Sequence, residues 1–184
     1  MPNPIVTAIA VAAGYLVYKR LGKGGSRTTG GPSTSTTKEI IDVNVPLRTA
    51  YDQWTQFEDF PLFMDNVLEV RQLDDGLLRW RASIAGKQEQ WDAEITAQVP
   101  DERIAWRSIR GAQNDGEVTF RPLSDSMTRI VLRMTYQPRS VAEKVGDTLG
   151  LVQSSARSSL ERFKEFVESR GTETGAWRGT IAEH

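Results

Sequence analysis

The 184-residue chain contains no cysteine, and its single histidine is the last residue, His184. The lack of cysteine excludes disulfides, cysteine-ligated zinc and thiol catalysis, and it is consistent with a reducing compartment. The terminal histidine argues against a Ser–His triad and a histidine-ligated metal site. Paired carboxylates, a nucleophile motif and a phosphate-binding loop are also missing. We therefore expect no metal and no cofactor, and a binding protein is favoured over an enzyme.

The chain is nearly neutral, with a formal net charge of −1, but its charge is unevenly placed. Residues 1–37 carry four basic side chains and no acidic one, which leaves 19 basic and 24 acidic residues for the rest. That body is therefore mildly acidic. A nucleic-acid-binding domain needs a basic surface, so we expect no nucleic-acid partner.

A long uncharged stretch, residues 1–18, opens the chain. Asn3 and Pro4 suit the cap and the first turn of a helix. We therefore predict a separate N-terminal hydrophobic helix, assigned to residues 1–21. Its core from residue 4 to residue 21 is about 27 Å long at about 1.5 Å per residue, the short end of a membrane-spanning length.

The end of this stretch is basic, which indicates its orientation. Tyr18 is followed by Lys19 and Arg20, a cationic flank that stays on the cytoplasmic side of an inserted helix. Residues 22–37 are rich in Gly, Ser and Thr and are interpreted as a flexible linker that reaches about 20–24 Å. We expect a single-pass anchor that holds the body at the cytoplasmic face of a membrane. A soluble helix that docks on protein is the alternative.

Alternating apolar and polar residues predict most of the body, residues 38–171, as β-strands. Turn residues separate the strand segments, which are 38–46, 66–73, 77–84, 88–99, 103–110, 116–123 and 128–137. Helical spacing predicts short helices at 47–54 and 57–64, and one long helix from 140 to 170. Each strand has one apolar and one polar face, which is typical of an antiparallel sheet covered on one side. The sequence thus predicts an α+β fold.

The alternation also predicts which side chains point inward. Strict period two in the segment 88–99 gives an inward face made of Trp91, Ala93, Ile95, Ala97 and Val99. In the segment 66–73, Glu69 and Arg71 share a face with apolar residues. An inward orientation of these two charged residues is one interpretation, and an exposed sheet edge is the other.

Three stretches of the body are similar to a known family: FEDFPLFMDNVLEV, WDAEITAQVPDERIAWRS and NDGEVTFRPL. Together they resemble the START-like, birch-pollen-allergen-like (SRPBCC) superfamily, in its polyketide cyclase/dehydrase or coenzyme-Q-binding branch. The resemblance covers about residues 38–171. It implies a helix-grip fold, in which a curved antiparallel sheet of about seven strands wraps around the long C-terminal helix. It also implies an apolar cavity between sheet and helix that holds lipids, sterols, quinones or polyketides.

On this resemblance, we expect a ligand-binding site made of apolar side chains from all parts of the body. The candidates are Trp54, Phe57, Phe60, Phe63, Trp80, Trp91, Trp106, Phe120, Met134, Tyr136, Leu149 and Val152. The alternative for each is that it only fills the core.

The expected function is binding of a hydrophobic small molecule, lipid, quinone or isoprenoid-like, at a membrane surface. One alternative is a polyketide cyclase/dehydratase-type enzyme, with Tyr136 as a proton donor. Another is a protein-interaction module whose cavity is closed. The oligomeric state is not indicated.

A tail of residues 172–184 follows the long helix. Trp177 lies beside Arg178 between two glycines in this tail. The pattern is consistent with a frayed terminus or with a peptide that docks on the domain or on a partner.

Overall fold

The computed structural model describes residues 35–84, 87–111, 115–136 and 147–182. In chain order its elements are β1 (Ser35–Val43), α1 (Leu47–Trp54), a 3-10 helix (Phe57–Leu62), β2 (Val67–Asp74), β3 (Leu77–Ile84), β4 (Lys87–Val99), β5 (Arg103–Arg110), β6 (Asp115–Ser124), β7 (Met127–Tyr136) and α2 (Asp147–Arg170). The predicted N-terminal hydrophobic helix lies outside the described residues. Within the described ranges, no helix is both long and apolar enough to cross a membrane.

The seven strands form one antiparallel sheet in the order β1-β7-β6-β5-β4-β3-β2. Helix α2 packs against the sheet through a buried stripe at helical spacing, Ala156, Leu160, Phe163 and Val167. This arrangement confirms the predicted curved antiparallel sheet with a long C-terminal helix, a helix-grip-like fold. Strand β1 begins at Ser35, within the range that was predicted as linker.

Aromatic side chains join α1, the 3-10 helix and α2 into one core. The ring of Phe163 on α2 lies edge to face against Trp54, with centroids 4.8 Å apart, and against Phe63, 5.2 Å apart. Phe60 in turn contacts Trp54 at 5.7 Å. Such pairs contribute about 0.5–1.5 kcal/mol each beyond their burial, so they fix the helices over the sheet.

A β-bulge in β4 changes the predicted inward face. Ile95 pairs with Trp106, but Ala97 pairs with Ala105, so Thr96 is an extra residue in this strand. Beyond the bulge Gln98 pairs with Ile104 and is fully buried. Ala97 is buried as predicted, but beyond it the alternation is reversed by the extra residue, so that Gln98 is buried and Val99, which was predicted to point inward, is only half-buried.

Glu69 and Arg71 of β2 lie on the exposed side of the sheet. A register shift occurs between Val67 and Glu69, and Glu69 then pairs with Arg81. The carboxylate of Glu69 lies 2.6 Å from Nε of Arg71 and 3.3 Å from Nε of Arg81. Both arginines are largely exposed. The inward interpretation of Glu69 and Arg71 is therefore excluded.

The chain after α2 lies against the domain, and we call residues 172–182 the C-terminal segment. The backbone of Ile181 exchanges two hydrogen bonds with Gln98, of 2.9 and 3.0 Å. This antiparallel bridge lies on the part of β4 that extends beyond its pairing with β3. The amide of Trp177 donates to Oγ1 of Thr55 at 3.0 Å, at the end of α1. Of the two interpretations of the tail, docking on the domain is the one that the structure shows for this segment.

Arg178 makes the ionic contacts of the C-terminal segment. Its guanidinium forms ion pairs with Asp52 on α1 and with Asp101 in the β4–β5 turn. The same guanidinium lies 5.5 Å from the ring centroid of Tyr51. The Asp52 side chain is fully buried, and this ion pair gives its Oδ1 a charged partner, while its Oδ2 lies 3.3 Å from Nε of Arg48.

Candidate ligand-binding site

An apolar cavity lies among the C-terminal end of α1, the 3-10 helix and the inner face of the sheet. Eleven side chains line it: Trp54, Phe57, Phe60, Met64, Leu78, Trp80, Ile95, Ile104, Trp106, Leu132 and Met134. We call this set the cavity wall. All eleven are hydrophobic, and ten of them belong to the buried core. The wall therefore favours an apolar occupant over a charged one.

The cavity is narrow. Its volume is about 30 Å³. A single water needs roughly 10–15 Å³ by that measure. A ligand with fused rings therefore fits only if wall side chains shift, and a flat molecule needs the smallest shift.

Half of the predicted ligand-binding residues lie on the cavity wall, namely Trp54, Phe57, Phe60, Trp80, Trp106 and Met134. Their part in binding stays a prediction. Another three are buried in the core but do not line the cavity, namely Phe63, Trp91 and Phe120. The side chains of Tyr136, Leu149 and Val152 lie outside the described residues.

Each of the three core residues lies against an aromatic ring of the cavity wall. Phe63 contacts Phe60 at 5.2 Å, and Phe120 contacts Trp54 at 6.1 Å. Trp91 stacks on Trp80 at 5.7 Å. Strand alternation and helical spacing indicate which face of an element is inward, but they do not indicate which inward side chain reaches the cavity.

Five wall residues were not among the predicted ligand-binding residues: Met64, Leu78, Ile95, Ile104 and Leu132. Four of these lie on strands, in the same inward rows as predicted residues; Leu78 precedes Trp80 by two positions, for example. That period could have identified them. Met64 is the last residue of the segment 57–64 that was predicted as a helix, and it lies two residues beyond the end of the observed 3-10 helix.

The position of the Trp106 indole requires a residue without a side chain in the neighbouring strand β6. Trp106 and Gly116 form the last pair of the β5–β6 ladder. A Cβ atom added to Gly116 would lie 2.5 Å from Cζ2 of Trp106 and 2.7 Å from the carbonyl oxygen of Arg133. Glycine at this position therefore leaves the space in which the indole lies against the sheet.

Trp80 and Trp91 form a stacked cross-strand pair. They are directly opposite in the β3–β4 register, with ring centroids 5.7 Å apart and planes 8° apart. Both are buried, and neither indole nitrogen Nε1 has a hydrogen-bond partner within the part of the chain that the structure describes. A buried indole N–H usually finds an acceptor, and an unmet one costs about 1–3 kcal/mol.

The cavity wall offers little acid–base chemistry. Its polar atoms are the indole N–H groups of three tryptophans, which only donate, and two thioether sulfurs, which accept weakly. Across the described ranges, no group of three His, Cys, Asp or Glu side chains is placed to hold a metal ion. The described side chains of the wall thus present mainly hydrophobic surface.

Residues 43–165 match the model of the family described as polyketide cyclase/dehydrase and lipid transport, and the chain belongs to this family. The family match and solved structures of similar fold also confirm the resemblance to the START-like, birch-pollen-allergen-like superfamily. Solved structures with this fold include aromatase/cyclases.

A similar protein is an uncharacterized 17.2 kDa protein of Streptomyces lincolnensis. It is 51% identical over 148 residues, which cover 80% of this chain and 99% of the relative. A crystal structure of DR_A0006 from Deinococcus radiodurans is 30% identical with a TM-score of 0.56, covering 74% of this chain and 99% of that one. The Zhui aromatase/cyclase of Streptomyces sp. R1128 has a TM-score of 0.67 at 16% identity, covering 79% of this chain and 100% of that one. The likeness to Zhui is one of fold.

Proposed function

We propose that this protein binds a hydrophobic small molecule of the lipid, quinone or isoprenoid kind in its cavity. The observation that carries the proposal is the cavity wall, in which eleven hydrophobic side chains from α1, the 3-10 helix and the segment after it, and four strands surround one space. Burial of an apolar ligand there contributes about 25 cal/mol per Å² of apolar surface removed from water. The family's description, which includes lipid transport, supports the same function.

Native mass spectrometry of the protein purified from its own host, followed by lipid extraction, tests this proposal. We expect a bound apolar molecule in the wild-type protein and in Leu123→Trp, since Leu123 is exposed on β6. We expect none in Ile104→Trp, because the added ring volume fills the narrow cavity. If wild-type protein and both variants carry nothing, the closed-cavity interaction module is supported instead.

A second candidate function is polyketide cyclase/dehydratase-type catalysis, which the family's description favours. Because the described wall contains no acid or base, this function depends on Tyr136, whose side chain lies outside the described residues. A turnover assay with an aromatic polyketide substrate separates the two functions. Cyclisation or dehydration that disappears in Tyr136→Phe would establish the enzyme.

We also propose that residues 4–21 hold the domain at the cytoplasmic face of a membrane, where such ligands are dissolved. The uncharged stretch and its basic flank support this proposal. Residues 1–37 fused to a reporter should enter the membrane fraction and resist a carbonate wash. Ala12→Arg should release the fusion, because a central charge costs about 2.5–3.5 kcal/mol on insertion scales. A wild-type fusion that stays in the soluble fraction would contradict membrane association.

A further inference from the structure

The C-terminal segment lies across α1 and the 3-10 helix, which together form one end of the cavity wall. Gln53 on α1 accepts a hydrogen bond of 2.9 Å from the amide of Thr174 and donates one of 3.1 Å to its hydroxyl. The same hydroxyl donates to a carboxylate oxygen of Asp59 in the 3-10 helix. The amide of Trp177 donates to Oγ1 of Thr55 at 3.0 Å. The segment therefore joins α1 to the 3-10 helix.

The residues that contact the segment alternate along the chain with the residues that line the cavity. Gln53 and Thr55 flank Trp54, which is a wall residue. Asp59 directly precedes Phe60, which is another. Neither Gln53, Thr55 nor Asp59 is on the wall. The two elements thus present one side to the cavity and a different side to the C-terminal segment.

These two elements are also the part of the wall that is held least by the sheet. Seven of the wall residues lie on β3, β4, β5 and β7, and each of these strands pairs with a neighbour on both sides. Helix α1 and the 3-10 helix lie outside this sheet. Because the cavity holds only about 30 Å³, a larger apolar molecule enters only if part of the wall moves. Displacement of α1 and the 3-10 helix provides that movement without breaking a strand pair.

The attachment of the segment is polar and can be exchanged for water. Gln98 donates from Nε2 to the carbonyl of Trp177 at 3.2 Å, and Asp101 pairs with Arg178 through Oδ2. The other oxygens of these two side chains, Oε1 and Oδ1, are buried without a hydrogen-bond partner in the described part of the chain. Departure of the segment would let water reach both. At Gly171, where φ is +68°, an added Cβ would meet no atom within 4 Å, so the chain has room to turn away there.

We propose that the C-terminal segment is a strap that holds α1 and the 3-10 helix closed over the cavity, and that its release admits the apolar ligand. The inference rests on the proposed binding function and adds a control of access to it. A strap slows entry and exit alike, because both need the same opening, and it leaves the affinity nearly unchanged. Rates therefore test the strap, whereas affinity tests the binding function.

The lack of cysteine in the chain allows the segment to be locked by one engineered disulfide. Gln98 and Ile181 are directly opposite in an antiparallel bridge, where Cα atoms are about 5.5 Å apart, a distance that suits a disulfide. The double variant Gln98→Cys/Ile181→Cys is measured oxidised and reduced, so that one sequence supplies both the test and its matched control. Loss of thiol reactivity confirms that the bond has formed. The probe is N-phenyl-1-naphthylamine, an uncharged fluorescent apolar molecule, mixed with the protein by stopped flow.

We expect the oxidised form to bind and release the probe at least about tenfold more slowly than the reduced form, with dissociation constants within about twofold. Equal association rates in the two forms overturn the strap while the binding function stands. If wild-type protein and the reduced form both fail to bind the probe, the binding function is contradicted for this probe and the inference falls with it. Ile104→Trp should abolish the fluorescence change, and a full signal in this variant would contradict binding in the cavity and the strap together.

A milder change tests the opposite direction. Thr174→Val removes the hydroxyl that joins Gln53 to Asp59 and nearly keeps the shape of the side chain. We expect both rates to rise by about 3–10-fold, as the loss of one neutral hydrogen bond implies. Thr172→Val is the matched control, because Thr172 is exposed two residues earlier, and it should leave both rates within about twofold. Equal rates in the two valine variants would contradict a strap held at Thr174.

Discussion

The cavity wall and the C-terminal segment both contact α1, but they contact it through different chemistry. The wall meets α1 at Trp54 with hydrophobic side chains alone. The C-terminal segment meets the same helix at Asp52 and Thr55, through an ion pair and a hydrogen bond. Apolar contact is non-directional, whereas ionic and hydrogen-bonded contact requires each partner in position.

This difference assigns separate roles to the two regions. Apolar side chains of the wall can shift without losing a specific partner, because their contacts are non-directional. Loss of Arg178 from the C-terminal segment leaves the buried Asp52 carboxylate with the exposed Arg48 as its remaining ionic partner. We infer that the C-terminal segment fixes the position of α1 while the wall adapts, and mutations in the two regions should therefore have effects of different size.

The largest effect is expected from Arg178→Ala. This change removes the main partner of the fully buried Asp52 carboxylate and of Asp101. Breaking a buried pair costs about 3–5 kcal/mol, and the exposed Arg48, 3.3 Å from Asp52, should keep the loss near the lower limit. Urea unfolding followed by circular dichroism measures the change.

Two variants control this prediction. Arg157→Ala removes an exposed i,i+4 pair with Glu161 and should cost less than about 0.5 kcal/mol. Asp52→Asn added to Arg178→Ala should recover part of the stability, because the unpaired charge is gone. If Arg178→Ala is no more destabilising than Arg157→Ala, the C-terminal segment does not fix α1.

An intermediate effect is expected from Gly116→Ala on the cavity side. The new methyl group would overlap the Trp106 indole and the Arg133 carbonyl, so the ring must move. Overpacking of this kind costs about 1–3 kcal/mol. The near-ultraviolet circular dichroism of the tryptophans should change with it, since Trp106 lies on the cavity wall.

Gly76→Ala is the matched control for this change. A Cβ on Gly76 would meet its nearest neighbour, the side chain of Ile181, at an ordinary distance of 3.5 Å. Its unfolding free energy should stay within about 0.5 kcal/mol of wild type. If Gly116→Ala and Gly76→Ala change the free energy of unfolding equally, the packing around Trp106 accommodates an added methyl group.

The sequence predicts the regular parts of this molecule well, because local periodicity and burial agree there. The inward row Leu78 and Trp80 on β3, and Leu132 and Met134 on β7, follows period two without interruption. In β4 the extra residue Thr96 ends the agreement. A bulge is set by how two strands twist against each other, and it leaves no mark in the alternation of a single strand.

The apolar and aromatic character of the candidate site could be predicted from the sequence, but the set of side chains that line the cavity could not. The aromatic residues singled out from the sequence are buried where the structure describes them, or nearly so in the case of Trp106. Whether an inward ring such as Phe63 or Phe120 reaches the cavity depends on contacts between elements distant in sequence. The docking of Ile181 on β4 depends on the same long-range geometry, since β4 extends past the end of its pairing with β3.

The smallest effect is expected from Tyr51→Phe, and it should be visible only in alkali. Burial raises the pKa of Tyr51 from 10.0 to about 12, while Gln98 and Arg178 act in the opposite direction. Between pH 10 and 12 the unfolded chain releases this proton and the native protein keeps it. Stability from this group is therefore constant below pH 10 and falls as the pH rises through that window.

Removal of the hydroxyl should change the free energy of unfolding by less than about 1 kcal/mol at pH 7, since Phe keeps the ring that contacts Phe120 and Arg178. Urea midpoints at pH 8, 10 and 11.5 should then fall less steeply for Tyr51→Phe than for the wild-type protein. Parallel pH profiles would show that Tyr51 ionises normally. Water would then reach the region under the C-terminal segment. The ionic contact between this segment and α1 would be less shielded than the buried Asp52 side chain indicates, and it would differ less from the apolar contacts of the cavity wall.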